Sequence, residues 1–218
     1  TREGEQRKAE HMAHEYASSI YSGVTRHFHF CFGHYIEDRA TRNSQFGLLR
    51  LDMTPRPSYV ALAAVGRFMA GAESIGRYKP DGIANVYAFR AEPDGVESDV
   101  LVCWAQNPEG GWETKGSAEY EWDLPGGIKV RGIYDYLGRE LDAMPSALRD
   151  EAVFVVCEKG EAEEHLTLEK KQMAEYREGE ACEVILQVQI PYKYTRGTYE
   201  NWVETQEHAI EPGKAMDV

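Results

Sequence analysis

The first 73 residues contain one strand-like segment between two helical ones, and a unit of this kind cannot fold by itself. Residues 24–32, VTRHFHFCF, alternate aromatic side chains with His27, His29 and Cys31, and this period of two is typical of a β-strand. A lone strand leaves backbone N–H and C=O groups unpaired along both edges. We therefore expect residues 3–72 to pack against something else, either another part of the chain or a separate partner.

Both flanking segments have the three- and four-residue spacing of amphipathic helices. The first, residues 3–22, is followed by Gly23, a residue type suited to the C′ position of a helix. Two prolines precede the second helix, where their fixed φ suits a first turn, and Gly71 closes it. The predicted apolar stripes consist of Ala9, Met12, Ala13, Tyr16, Ala17 and Ile20 in the first helix, and of Tyr59, Leu62, Ala63, Gly66 and Met69 in the second.

After about residue 74 the apolar pattern changes to short alternating runs separated by turn-forming clusters such as EPDG, NPEGG and PGG. This pattern is typical of an antiparallel β-sandwich, which we expect over about 80–158. Residues 159–180 are highly charged and predict a linker, and EVILQVQI at 183–190 predicts a further strand. The predicted strand runs are NVYAFRA (85–91), DVLVCWA (99–105), YEWDL (120–124), IKVRGIYD (128–135) and AVFVVCE (152–158).

Charge and composition exclude several classes of function. The net charge is −13, and no stripe of lysine and arginine offsets it, so nucleic acid is not an expected partner. No apolar run approaches the roughly 20 residues that a membrane span needs. The four cysteines include no C-x-x-C pair, and we expect buried free thiols, no zinc site and no cofactor. The H-x-H of His27 and His29 lacks a third ligand at a recognised spacing, so a metal there is the lesser alternative.

The N-terminal region resembles the end of the barrel in retaining (β/α)8-barrel glycoside hydrolases that carry catalytic glutamates on strands 4 and 7. The matching pieces are the pair Glu5-Gln6, Gly23, the aromatic run HFHFCF, and QFGLLRLDMTPRPSYVALAAVGRFMAGA. The following region, 85–158, resembles the β-domain after such barrels, with Asp135, Gly138 and Pro145 in the matching places. The resemblance implies an α/β plus all-β architecture. Its predicted parts are the last helix–strand–helix of a TIM barrel (1–73), a β-sandwich (74–158), and a linker with the start of a further β-unit (159–218).

The resemblance implies that this is the C-terminal portion of a polysaccharide- or oligosaccharide-degrading enzyme, secreted or periplasmic. Strands 4 and 7 would precede Thr1, so no catalytic residue is expected here and the chain alone is predicted to be inactive. Carbohydrate would be contacted at the end of strand 8. The candidate substrate-binding residues are Phe32, His34, Tyr35 and Glu37. Core packing remains the alternative for Phe32, and a solvated loop remains the alternative for Glu37.

A non-catalytic β-sandwich module that binds carbohydrate or protein is the competing function. It would require residues 3–72 to fold against the sandwich without a missing barrel. Exposed aromatic residues could then form a carbohydrate platform, for which Tyr120, Trp112 and Trp122 are candidates. Trp104, in the apolar run VLVCWA, is expected to be buried.

Overall fold

The computed structural model describes residues 2–29, 32–33, 47–50, 52–78, 80, 83–105 and 119–170, and the backbone of 182–195 and 198–210. The chain divides into two compact units, Thr1–Gln172 and Met173–Val218. The boundary predicted after residue 73 falls inside the first unit, one residue into the strand Glu73–Tyr78.

In its described residues, the first unit combines three α-helices and a short 3-10 helix (Pro93–Gly95) with a sheet of six strands. The helices are α1 (Arg2–Tyr21), α2 (Pro57–Phe68) and the one-turn α3 (Glu161–His165). The strands are β1 (Glu73–Tyr78), β2 (Ala84–Ala91), β3 (Ser98–Ala105), β4 (Val130–Asp135), β5 (Glu140–Leu141) and β6 (Val153–Cys157).

All neighbouring strands of this sheet are antiparallel, in the order β1-β2-β3-β6-β4-β5. Four of the predicted runs are confirmed as β2, β3, β4 and β6. The prediction of a strand at 120–124 is wrong, because Tyr120 forms only an isolated bridge to Leu148. The sequence pattern missed β1, whose Gly76 takes a φ of 151° at a register irregularity that interrupts the apolar alternation.

The strand β3 lies at the centre of the sheet and is buried along its whole length. Its alternate residues face opposite layers. One layer consists of α1 and α2, which share a core with Val102, Trp104 and Phe154. The opposite layer packs on Leu101, Cys103 and Val155.

The predicted β-sandwich is not confirmed, since no second sheet covers the first among the described residues of the first unit. Segments without regular strands take its place on the face opposite the helices, through residues such as Trp122, Leu148 and Leu166. Burial on both sides of β3 demands two covering layers, but alternation alone does not determine whether each layer is a sheet, a helix or a loop.

The first helix follows its prediction closely. Ala9, Met12, Ala13 and Ala17 are buried in the shared core. At the C-terminus, the Val24 N–H donates to the Ser19 carbonyl at 3.0 Å and the Gly23 N–H donates to the Ile20 carbonyl at 2.9 Å. These two bonds, with φ of 81° at Gly23, form a Schellman motif and confirm Gly23 as the C′ residue.

The second helix differs from its prediction in the face that it buries. Pro57 occupies the start of the helix as expected, but the buried positions are Ser58, Ala61, Ala64, Val65 and Phe68. The predicted stripe was wrong because α2 is apolar on both sides, so helical spacing could be matched on either face. Of the five predicted residues, Tyr59, Ala63 and Gly66 are exposed, Leu62 is half-buried and Met69 is buried.

The strand predicted at 24–32 is not formed where the chain is described. Residues 24–29 belong to no strand, and Phe30 and Cys31 lie outside the described residues. A strand exists only with a hydrogen-bonded neighbour, and the ladder of the first unit supplies none at this position. The alternating sequence of residues 24–29 therefore suits a β-strand, but these residues have no strand partner in the first unit.

Residues 159–170 fold onto the sheet, which differs from the predicted linker. The fully buried Asp99 of β3 accepts hydrogen bonds from the backbone N–H groups of Gly160 at 3.0 Å and Ala162 at 2.9 Å. Arg90 donates to the other oxygen of Asp99 at 2.7 Å. These contacts hold α3 against the sheet. The sequence pattern missed this because the segment is highly charged, although Ala162 and Leu166 are buried.

The second unit is a hairpin of β7 (Cys182–Thr195) and β8 (Thr198–Ile210), paired antiparallel from Cys182 with Ile210 to Thr195 with Thr198. The predicted strand at 183–190 is confirmed within β7. Among the described residues, no helix is both long and apolar enough to cross a membrane.

Two cysteines of the sheet agree with the expectation of buried free thiols, namely Cys103 and Cys157. Burial raises the pKa of both, that of Cys157 to about 12. Both thiols are therefore protonated and unreactive at neutral pH.

Phe68 connects α2 to the sheet, so its truncation should destabilise the whole first unit. Its ring lies 4.5 Å from that of Tyr134 and 5.0 Å from that of Phe154, between centroids. We expect Phe68→Ala to lower the free energy of unfolding by about 3–5 kcal/mol, as measured by urea denaturation. Phe28→Ala is the control, because that ring is exposed and its removal should change stability by less than about 0.5 kcal/mol. Equal losses in the two variants would contradict this role of Phe68.

Candidate functional site

The segment that carries the TPRPSY motif forms a closed turn ahead of α2. Asp52 accepts hydrogen bonds from the Thr54 backbone N–H at 3.0 Å and from the Thr54 hydroxyl at 2.6 Å. Met53 adopts a left-handed φ of 64° within this turn, a conformation that non-glycine residues seldom take. Leu49 pairs with Pro55, and the Arg56 N–H donates to the Leu48 carbonyl at 2.9 Å. The chain thus reverses direction before Pro57 begins the helix.

Glu5 on α1 holds this turn through two guanidinium groups. Arg50 donates to Glu5 Oε2 at 2.6 Å, and Arg56 donates to Glu5 Oε1. The side chain of Arg56 is 3% exposed and that of Glu5 is 13% exposed. Burial raises the pKa of Glu5, but the hydrogen bonds and charges of Arg50 and Arg56 outweigh burial and leave this pKa below its ordinary value. We call Glu5, Arg50 and Arg56 the Glu5 clamp.

The same turn anchors Phe32, the predicted substrate-binding residue that the structure describes. The backbone N–H groups of Leu48 and Leu49 donate to the Phe32 carbonyl at 3.0 and 3.1 Å. The Phe32 side chain is 60% exposed, so it does not pack in the core of the first unit. Its centroid lies 6.2 Å from that of Tyr59 in an edge-to-face arrangement. His34, Tyr35 and Glu37 lie outside the described residues.

Phe32 and Tyr59 are two of several large hydrophobic residues that are exposed in this part of the chain. Six of the eight exposed large hydrophobic residues in the described part of the chain lie between residues 24 and 60. We call this set the outer apolar residues. They are Val24, Phe28, Phe32, Met53, Tyr59 and Val60.

Among the described residues, neither histidine of the H-x-H motif belongs to a group of three potential metal-ligating side chains. The Nδ1 atom of His27 lies 3.1 Å from the Ser19 hydroxyl oxygen, and the His27 ring stacks on Tyr16 at 4.2 Å. His29 is half-buried, and burial lowers its pKa. Cys31, the third member of that strand face, lies outside the described residues.

A different triad brings potential metal-ligating atoms together, namely Glu161, Glu164 and His165, whose ligand atoms lie within 4.8 Å of one another. Glu161 is already engaged, because it accepts the Lys129 backbone N–H at 2.9 Å and pairs with the Lys129 ammonium at 3.3 Å. The Lys129 ammonium group therefore already neutralises Glu161, as a metal ion would. We interpret this cluster as one that stabilises the α3 turn.

The tryptophan platform is only partly described. Trp104 is buried as expected, stacked between His14 and Tyr87. Trp122 is also buried, so its role as an exposed platform residue is wrong. Tyr120 is half-buried, and Trp112 lies outside the described residues. Trp104 and Trp122 therefore do not contribute to an exposed binding surface.

Sequence reasoning missed the role of Glu5, which it noted only as part of a family pattern. The residues that Glu5 binds are 45 and 51 positions away, and no local pattern reveals such a pairing. A weak signal was available in the two arginines that flank the apolar and proline residues of LLRLDMTPRP, because arginine inside an otherwise apolar segment commonly has a carboxylate partner.

Comparison with known proteins gives one partial similarity. No protein-family model matches the chain, and no curated protein is similar to it. Among solved structures, the chain is similar to part of a family 39 glycoside hydrolase from the gut symbiont Bacteroides cellulosilyticus WH2, with 22% sequence identity and a TM-score of 0.49. The similarity covers 69% of this chain and 30% of that one. The chain therefore spans less than a third of the length of that solved structure.

Neutralising Glu5 should destabilise the turn that binds the Phe32 carbonyl and precedes α2, the helix that contains Tyr59. We expect Glu5→Gln to lower the free energy of unfolding at pH 7 by about 1–3 kcal/mol, because the nearly buried Arg56 loses a charged acceptor. The folded-state pKa of Glu5 lies below the ordinary 4.5. Its contribution is therefore present above pH 4.5 and is lost as the pH falls through the folded-state pKa.

The measurement is urea denaturation of both proteins over a series of pH values. Glu15→Gln is the matched control, since Glu15 lies on the same helix and is exposed. A wild-type advantage over Glu5→Gln that grows toward acidic pH, or an equal loss in Glu15→Gln, would contradict the clamp.

Proposed function

We propose that this chain is the C-terminal portion of a glycoside hydrolase, and that the remainder of a (β/α)8 barrel covers its outer apolar residues other than Phe32. In this proposal Phe32 lies at the C-terminal end of barrel strand 8, where it contacts carbohydrate together with His34, Tyr35 and Glu37. The two catalytic carboxylates lie on barrel strands upstream of Thr1. The chain alone supplies part of the substrate surface and the β-domain behind it.

The observation that carries this proposal is the apolar character of α2 on all sides. Its sequence, PSYVALAAVGRF, contains a single charged residue, Arg67 in the last turn. Ala61, Ala64, Val65 and Phe68 already face the sheet, while Tyr59, Val60 and Ala63 remain exposed on the other side. A helix that is apolar all round is normally covered on all sides. We therefore expect a second layer of protein to pack on the exposed side of α2.

The unpaired segment 24–29 supports the same conclusion. Its sequence alternates as a strand does, yet it belongs to no sheet in the first unit. Phe28 is 85% exposed. A barrel would provide a neighbouring strand on each edge and would cover Phe28. Both missing elements, a strand partner and an apolar layer, are ones that the rest of a barrel supplies.

The exposed ring of Phe32 suits carbohydrate contact. Sugar rings present C–H faces that pack on aromatic side chains. The Phe32 backbone is held by two hydrogen bonds from the turn, and the turn by the Glu5 clamp. A rigidly held ring loses little conformational freedom on binding.

A non-catalytic carbohydrate- or protein-binding module is the second candidate. One observation favours it, since α1 and α2 share a core with the sheet and the first unit forms without a barrel. Under this alternative the isolated chain is a monomer that binds little of a dye specific for apolar surface. Under the proposed function the outer apolar residues bind such a dye until the upstream barrel covers them.

The isolated 218-residue chain should hydrolyse no aryl glycoside, because retaining glycosidases need two carboxyl groups about 5–5.5 Å apart and the proposal places both upstream. The same chain extended by the upstream reading frame should show turnover. The measurement is release of the aryl group by both proteins. Robust turnover by the isolated chain that is lost in Glu37→Gln would overturn the barrel assignment.

In the extended, active protein, Phe32→Ala should raise KM by about tenfold and leave the fold intact. An aromatic contact of this kind is worth on the order of 1 kcal/mol or more. Val96→Ala is the control, because Val96 is exposed and is not one of the outer apolar residues that the barrel would cover. If the two variants shift KM equally, or neither does, Phe32 is not a substrate contact.

A further inference from the structure

A second concave surface lies away from Phe32, beside the C-terminal end of α1. It is a groove of about 520 Å³ between that helix end, residues 23–27, the end of α2 and the start of β1. This volume lies within the range of roughly 300–1,000 Å³ in which small-molecule sites occur. Neither Phe32 nor Tyr59 lines it, so it is separate from the proposed substrate surface.

One wall of the groove is an aromatic pair with a fixed orientation. The rings of Tyr16 and His27 stack with centroids 4.2 Å apart. The Ser19 hydroxyl oxygen lies 3.1 Å from His27 Nδ1, which leaves Nε2 as the remaining polar atom of the imidazole. The chain reverses direction at Gly23, which has a left-handed φ. His27 therefore contacts Tyr16 and Ser19 of α1. The H-x-H motif thus supplies one ring to this wall rather than a metal ligand.

The opposite rim carries hydrogen-bonding groups without a positive charge. Glu73 and Ser74 at the start of β1 are exposed and line the groove, as does Thr25. A carboxylate accepts hydrogen bonds from hydroxyl groups strongly. No lysine or arginine is among the described residues that line the groove, so these residues supply no permanent positive charge to an anion.

We propose that this groove binds a short neutral saccharide. Stacked rings, a carboxylate and hydroxyl groups around one cavity are complementary to a ligand that has C–H faces and many hydroxyls but no charge. The net charge of −13 disfavours acidic sugars in general, and Glu73 disfavours them at this site. All of the lining residues belong to the first unit, so the site is tested on the 218-residue chain itself.

The test is a titration of the 218-residue chain with cellobiose and with maltose, followed by the amide and imidazole NMR signals. Binding should shift the signals of Tyr16, Ser19, His27 and Ser74. Glu73→Gln should weaken the affinity by about tenfold, because a charged acceptor becomes a neutral one. Glu140→Gln, the same change at an exposed strand residue outside the groove, should leave the affinity unchanged. Digalacturonate should bind more weakly than either neutral disaccharide.

The outcomes separate this proposal from the proposed function. Shifts confined to Phe32 and Tyr59 would overturn the groove and leave the substrate surface standing. Shifts confined to the groove, with loss of affinity in Glu73→Gln only, would support the groove and remove Phe32 as a contact in this chain. Absence of groove shifts with both disaccharides, an equal effect of Glu140→Gln, or preferred binding of digalacturonate would each overturn the groove.

Discussion

The pairing of Glu5 with Arg50 and Arg56 is the interaction on which the N-terminal part of the structure depends. It connects the first helix with the turn that precedes the second, and that turn holds the Phe32 carbonyl. Moving charges out of water is unfavourable, so a nearly buried arginine is tolerated only with a well-placed acceptor. One carboxylate serves two guanidinium groups here, and both of its oxygens are used. The position of the exposed Phe32–Tyr59 pair is therefore determined by a charge on another element.

The sequence predicted the parts of the fold in which local chemistry and burial agree. The first helix, its end at Gly23 and four central strands were predicted because each has a clear period and a clear boundary. The buried face of α2 was not, because Tyr59 and Leu62 satisfy helical spacing as well as Ala61 and Phe68 do. The covering layer opposite the helices was not predictable either, because Trp122 and Leu148 reach the core from irregular segments.

The candidate site was predictable only in part, for reasons of distance and context. Phe32 was identified through the family resemblance, as the last residue of the alternating segment, but alternation does not tell an inward ring from an exposed one when the neighbouring strands are unknown. The clamp joins residues about 50 positions apart, beyond the reach of any periodic pattern. The groove required knowledge of how the chain folds back at Gly23, since Glu73 and His27 are far apart in sequence and become neighbours only around the helix end.

The uncovered side of the first unit can persist because its other side is so well packed. Leaving a ring such as Phe28 or Phe32 in water forgoes on the order of 1.5–3 kcal/mol of burial for each. The shared core of the helices with β2, β3 and β6 holds α1 and α2 in place without that contribution. The unit thus assigns two tasks to different residues. Buried side chains of α1 and α2, such as Met12, Val65 and Phe68, supply stability, and the outer apolar residues stay available. A partner that covers the outer apolar residues gains their burial energy on association, with no need to unfold the core.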